Sequence, residues 1–329
     1  MLTVSQAVSI FKMPGQPVLL QEKKLGDFLN FNRNISIADS LNFSKQDTTS
    51  MRSLVIFTLL FLTGNLILAQ PADLKNDYFL RQLYKDQSYN TQKDLVLKEF
   101  AHVVPGSWGE FVKGVDEDIV TNKKLLALTF DACGGPRGSG YDAELINYLR
   151  KEKIPATLFV TGKWIDANYN TFLELSKDTL FEIENHGLNH QPCSVDGESE
   201  YGIKGTPDVP DAFDEIEANE RKIQFITGRR PKFYRSATAY TDEACAKIAR
   251  QLDVTVISFD VLSGDAVPFT KIPVIEKSVL SNVKPGALII MHFNHPEWNT
   301  FESLEKIIPV LKKQGYSFSK LETYPLKGK

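Results

Sequence analysis

The chain has 329 residues, 42% of them hydrophobic and 24% charged, enough to bury one large core or two modest ones. Lys plus Arg number 38 against 41 Asp plus Glu, a net charge of -3, which excludes the basic field that nucleic acid or an anionic membrane surface would require. Three cysteines, Cys133, Cys193 and Cys245, are too few and too scattered for a disulfide framework or a four-thiolate zinc site. One bridge remains open to them. Cys133 with Cys193 is the pairing expected, because each follows a cluster of candidate site residues.

Taken in chain order, the first feature is an apolar run inside the N-terminal region. "MRSLVIFTLLFLTGNLILAQ" begins at Met51 with one arginine and ends at Ala69 before a polar segment, the pattern of a secretory signal peptide. Gly64 and Asn65 interrupt the run, and it is shorter than a bilayer-spanning helix needs. The expectation is export to the periplasm or the medium with no stable membrane anchor. Residues 1–50 are then a leader or an over-extended start with no fold of their own, 51–69 the signal peptide, 70–119 an N-terminal extension without clear period, and 120–329 the main domain.

From about residue 120, short β-branched or aromatic runs alternate with amphipathic stretches, the pattern of βα units. Strands are predicted at 125–130, 156–160, 179–184, 232–235, 254–259, 287–291 and 316–320. Helices are predicted from Tyr141, Ala212, Thr241 and Thr300, with Thr241 and Thr300 as N-caps. Repeated βα units in one domain call for a parallel sheet, and seven of them favour a closed or nearly closed barrel. The fold class is therefore α/β, a distorted (β/α) barrel of about seven parallel strands.

Reactive groups of such barrels gather at the C-terminal ends of the strands. Asp131 follows the first strand, in "ALTFDACGG". His186 and His190, in "ENHGLNH", follow the third; Arg235 ends the fourth; Asp260 and Asp265, in "FDVLSGD", follow the fifth; His292, in "IIMHFNH", follows the sixth. Each alone has an ordinary reading, a turn, a cap or a surface charge. Accidents at five strand ends are a poorer explanation than one shared site.

This ordered set, T-F-D, H-x-x-x-H, a strand-end Arg, an Asp after the next strand and an apolar strand ending in His, resembles the NodB-homology polysaccharide deacetylases, carbohydrate esterase family four, over roughly residues 120–325. The resemblance implies a secreted hydrolase that removes N-acetyl groups, or secondarily O-acetyl groups, from a polysaccharide such as peptidoglycan, a chitin-like polymer or an exopolysaccharide. It implies Asp131 as general base, His186 and His190 as metal ligands, Arg235 as the residue orienting Asp131, and His292 as general acid tuned by Asp265. The implied cofactor is a divalent ion, zinc first, with nickel or cobalt as alternatives. A catalytically impaired carbohydrate-binding protein and a small-molecule amidase on the same fold stand as competing readings.

Two motifs depart from the family. The usual T-F-D-D-G is here T-F-D-A-C, so Ala132 replaces a carboxylate that would complete the metal triad. The third ligand is then Asp131, the Cys133 thiolate or water, and the ion is expected to be weakly held. The R-x-P-Y turn is here "RSATAY", with Thr238 at the tyrosine's place and Tyr240 two residues on. Thr238, Tyr240 and Trp298, the last in the loop after His292, are the candidate substrate contacts. Trp298 has packing of its own loop as an equal alternative.

Overall fold

The computed structural model describes residues 74–328. The signal peptide and leader read at 1–69 lie outside the described residues. Chain order gives α1 (Asn76–Leu83), α2 (Gln87–Glu99), β1 (Val115–Asp116), β2 (Leu125–Ala132), α3 (Ala143–Glu152), β3 (Ala156–Val160), α4 (Gly162–Ala167), α5 (Tyr169–Lys177), β4 (Phe181–Asn185), α6 (Val209–Thr227), β5 (Phe233–Tyr234), α7 (Glu243–Gln251), β6 (Thr255–Ile257), β7 (Val261–Leu262), α8 (Ile272–Asn282), β8 (Leu288–His292), α9 (Thr300–Lys313) and β9 (Ser317–Phe318). All seven predicted strands are present; 156–160 is matched residue for residue and the ends of the other six are shifted. The main sheet holds two more, β1 and β7, which carry no alternation long enough to be read from sequence.

Eight strands form one sheet in the order β7-β8-β2-β3-β4-β5-β6-β1, and β9 pairs with the start of β2. Every pairing within it is parallel. β6 and β7 lie at opposite sides of this order, yet only Ser258, Phe259 and Asp260 separate them in the chain. Three residues span about 10 Å at most, so the sheet must curl until its two sides meet there. Backbone bonds hold the junction: the Ser258 N–H donates to Asp116 O at 2.8 Å and the Asp260 N–H to Leu288 O at 2.9 Å. The result is the nearly closed α/β barrel.

Strand periodicity decides which side chains face inward. In β2, Leu126, Leu128, Phe130 and Ala132 pack with the surrounding helices, in the same cluster as Leu145, Leu149, Trp164 and Ile307. Leu125 and Ala127 join Phe159, Ile257 and Leu288 in a separate inner cluster, and Asp131 shares their parity. In β8, Ile289 and Met291 pack outward while Leu288 and Ile290 belong to inner clusters, so His292 is also on the inward set.

Two helix starts differ from expectation. The N-cap of α7 is Asp242, whose carboxylate accepts from the Cys245 N–H, not Thr241. The N-cap of α9 is Asn299, and Thr300 is its first helical residue. Thr300 instead donates its hydroxyl to Asp265 Oδ2 at 3.0 Å, which removes it from capping. The disulfide is Cys193–Cys245, with Cα atoms 5.9 Å apart, not Cys133–Cys193. Cys133 turns instead toward the two histidines, and among the described residues it is the free cysteine.

The segment before residue 120 does more than extend the chain. α2 covers α6, where Tyr84 and Tyr89 donate phenolic hydrogens to Asp214, each at 2.6 Å, and Lys93 pairs with it at 2.7 Å. α6 is thus buried on both sides and carries Glu215, Glu217, Glu220 and Lys222 out of water. Each of these needs a partner in the protein, since an unpaired buried charge is costly.

Candidate active site

Asp131 does not cap the helix that follows; Asp142 caps α3, accepting from the Leu145 N–H at 2.9 Å. The Asp131 carboxylate is buried, and Arg235 Nη1 donates to its Oδ1 at 2.8 Å. The fully buried guanidinium also donates from Nη2 to Ser258 O at 2.7 Å and stacks 4.3 Å from the Phe159 ring centroid. Arg235 is therefore fixed from three sides, and it fixes Asp131.

The same residue orients His186. Its carbonyl lies 2.8 Å from His186 Nδ1, so that nitrogen carries a hydrogen in either charge state and Nε2, 3.8 Å from Asp131 Oδ2, is the nitrogen that deprotonation frees to hold an ion. His190 follows four residues later in a loop, with a left-handed φ of 59°. Its ring stands edge-on to His186 with centroids 5.0 Å apart. A non-glycine residue held there is uncommon and marks a constrained position.

The thiol of Cys133 completes the cluster. One ligand atom each from Cys133, His186 and His190 lies within 4.8 Å of the others. Cys133 stands just past the end of β2, two positions beyond Asp131. Although burial pushes the Cys133 thiol up, the charge of His190 and hydrogen bonds from His186, His190 and His292 hold it well below its ordinary value. A thiolate and two imidazoles, one of fixed tautomer, are a donor set that fits a divalent ion, and sulfur favours zinc.

His292 lies directly across from Asp131 in the β8–β2 register. Asp265 holds it twice, accepting the backbone N–H at 2.7 Å and facing Nδ1 at 3.1 Å. Ser263 and Thr300 donate hydroxyls to the same carboxylate at 2.9 and 3.0 Å. Burial pulls the His292 imidazole down, but the Asp265 charge and hydrogen bond, with contributions from Cys133, carry it well above its ordinary range. Asp265 moves the opposite way: burial raises it, and His292 with the Ser263 hydroxyl brings it below its ordinary value.

Other candidates fall around this centre. Asp260 is not part of it; it pairs with Lys284 at 2.7 Å, beside Asp118. Thr238 is half-buried and Ala239 buried, both left-handed, in the turn after Arg235. Tyr240 packs between Trp108 and Tyr201, both at 5.8 Å between centroids. Trp298 stacks flat on His295 at 3.7 Å and meets His292 edge-on at 5.5 Å. It walls the imidazole and has one ring face taken.

An inward constellation of a carboxylate, an imidazole–carboxylate pair and a soft three-donor cluster at the C-terminal ends of barrel strands is that of a hydrolytic metal-type site. Residues 118–257 match the polysaccharide deacetylase family. Among curated relatives it is 28% identical over 182 residues to YlxY of Bacillus subtilis, covering 55% of this chain and 51% of that protein. It is 26% identical over 204 residues to a peptidoglycan-N-acetylglucosamine deacetylase of Bacillus cereus, covering 61% and 88%. The chain thus spans about half the length of the first of these relatives. Among solved structures, a CE4 family pseudoenzyme from Bacillus anthracis superimposes with a TM-score of 0.52 at 23% identity, over 62% of this chain and 66% of that one. PdaA of Bacillus subtilis, a family 4 carbohydrate esterase, gives 0.52 at 21%, over 71% and 88%. These structures share the fold.

Proposed function

We propose that the protein is an exported, metal-dependent deacetylase that removes N-acetyl groups from a polysaccharide, with peptidoglycan-type glycan as the first substrate class. The observation that carries this reading is the placement of Asp131 and His292 at paired positions of adjacent strands, with Cys133, His186 and His190 beside them. Cys133, His186 and His190 would hold a divalent ion, which would supply Lewis-acid polarisation of the amide carbonyl and a more acidic water. Asp131, held by Arg235, takes the water's proton. His292, kept protonated by Asp265, delivers a proton to the departing amine. Trp298 walls the imidazole, and Thr238 and Tyr240, in the turn after Arg235, are the further candidate contacts for the sugar.

Export is supported by the apolar run at Met51–Ala69 and by the Cys193–Cys245 bridge, which persists in oxidising compartments. Among the described residues no helix is long and apolar enough to cross a membrane. The test is metal content of the purified protein with acetate release from a panel of acetylated glycans. Bound zinc with turnover supports the reading; glycan binding without acetate release under saturating zinc replaces it with the binding-protein alternative.

A further inference from the structure

Glu215 is a buried carboxylate that the proposed chemistry does not use. It sits on α6, below the segment from His186 to Gln191. Its Oε1 accepts from the N–H groups of Asn189 at 3.0 Å and Gln191 at 2.9 Å, and its Oε2 from Asn189 at 2.9 Å. Its backbone carbonyl accepts from the Leu188 N–H at 2.9 Å. The amides on both sides of His190 therefore end on one side chain.

The rest of the loop is tied just as closely. The Gly187 N–H donates to Asn185 Oδ1 at 2.8 Å, and the carbonyls of Gly187 and Leu188 accept from the N–H groups of Gly162 and Lys163 at 3.0 and 3.2 Å. Gly187 has a φ of 87°, and a Cβ there would stand 2.3 Å from Glu215 Oε1. Only glycine lets the loop come this close to the carboxylate. His190, held left-handed between two clamped amides, has its backbone direction set from α6.

We infer that Glu215 is a positioning residue for the metal centre: its carboxylate gathers the amides of Asn189 and Gln191 and so aims His190 at the point where Cys133 and His186 converge. This rests on the metal-dependent reading above. The alternative is a merely structural role, in which the carboxylate neutralises buried amides and the fold would tolerate His190 elsewhere. Outer partners that orient ligands typically contribute about 10- to 100-fold in metal affinity.

The experiment is zinc titration of the full chain against a chromophoric chelator, with thermal melting of the zinc-free protein alongside. Glu215→Gln exchanges one accepting oxygen for an NH₂ that cannot accept, and its zinc affinity should fall about 10- to 100-fold. Glu217→Gln is the control: on the same helix, Glu217 pairs with Arg221 and Arg230 at 2.7 and 2.6 Å, away from the loop. It should lower the melting temperature and leave zinc affinity unchanged. If Glu215→Gln does not fold, Gly187→Ala challenges the same contact from the loop side and should weaken zinc similarly. Wild-type zinc affinity in the folded variant overturns the inference. Equal losses in Glu215→Gln and Glu217→Gln overturn it too, by showing a general stability effect. A wild-type protein that binds zinc but releases no acetate defeats the deacetylase reading alone, since the affinity comparison stands; a wild-type protein that binds no zinc defeats both.

Discussion

Arg235 and Asp131, 104 residues apart in the chain, form a 2.8 Å ion pair from which water is excluded. The pair explains why an apolar strand ends on a carboxylate. It also separates two consequences of removing that carboxylate. Asp131→Asn leaves the guanidinium buried without its counter-charge, a change of about 3–5 kcal/mol in stability. It also removes the group proposed to take the water's proton, so turnover should fall about 10²- to 10⁴-fold. Urea denaturation and acetate release read the two effects separately. A variant that loses stability while keeping wild-type turnover would reduce Asp131 to a structural partner of Arg235.

The His292–Asp265 pair predicts the basic side of the pH profile. The folded imidazole lies well above its ordinary value of 6.5, so its protonated form persists as pH rises past that point. The activity lost on the basic side should therefore be lost above pH 6.5. Asp265→Asn removes the charge that raises the imidazole and leaves its burial, which lowers it, so the basic limb should move to lower pH. The check is kcat against pH for both proteins at saturating zinc. An unmoved basic limb would assign it to another group.

Much of this site is legible in the sequence because inward parity and strand ends can be counted. Asp131, His186, His190, Arg235, Asp265 and His292 all converge. Cys133 was one of three alternatives for the third donor; the period of two beyond Asp131 is the signal that selects it, provided the extended geometry continues past Ala132. Asp260 satisfied the same strand-end rule and failed, because the chain crosses from β6 to β7 at that point and begins a new strand. The disulfide pairing and Glu215 depend on which loops meet across the barrel, information that local periodicity does not contain. The capping errors have a simpler cause: Asp242 and Asn299 precede the threonines by a single residue or follow them by one, and either type can cap.

Cys133 gives a prediction about metal that needs no turnover. With Cys193 and Cys245 bridged, it is the available thiol, and its neighbours hold it well below the usual thiol range. Thiolate is the species that both binds zinc and is alkylated. In zinc-free protein, iodoacetamide should label Cys133 readily at neutral pH, and saturating zinc should protect it. Cys133→Ala should lose most of the zinc affinity while leaving His186 and His190 in place. Mass spectrometry after timed labelling checks the first, chelator competition the second. Labelling at equal rates with and without zinc would remove the thiolate from the ligand set.

The Cys193–Cys245 bridge predicts where stability, as opposed to chemistry, is concentrated. It joins the loop leaving His190 to α7 and closes 52 residues of chain, a span that includes α6 and the Arg235 turn. Constraining a loop of that length in the unfolded chain contributes about 4 kcal/mol by chain entropy. The native surroundings already hold the same place: the Cys193 N–H donates to Ser236 Oγ at 2.8 Å, and the Val195 N–H to Asp242 Oδ2 at 2.7 Å. Those bonds keep the loop in position once the chain is folded, so removing the bridge should act mainly on the unfolded state. The double variant Cys193→Ala/Cys245→Ala is therefore expected to lose about 4 kcal/mol in urea denaturation and to keep wild-type zinc affinity below its transition. Cys133, untouched, should remain a single titratable thiol. Peptide mapping under non-reducing conditions that joined Cys133 to either partner, or a double variant as stable as the wild type, would reject this account of the bridge.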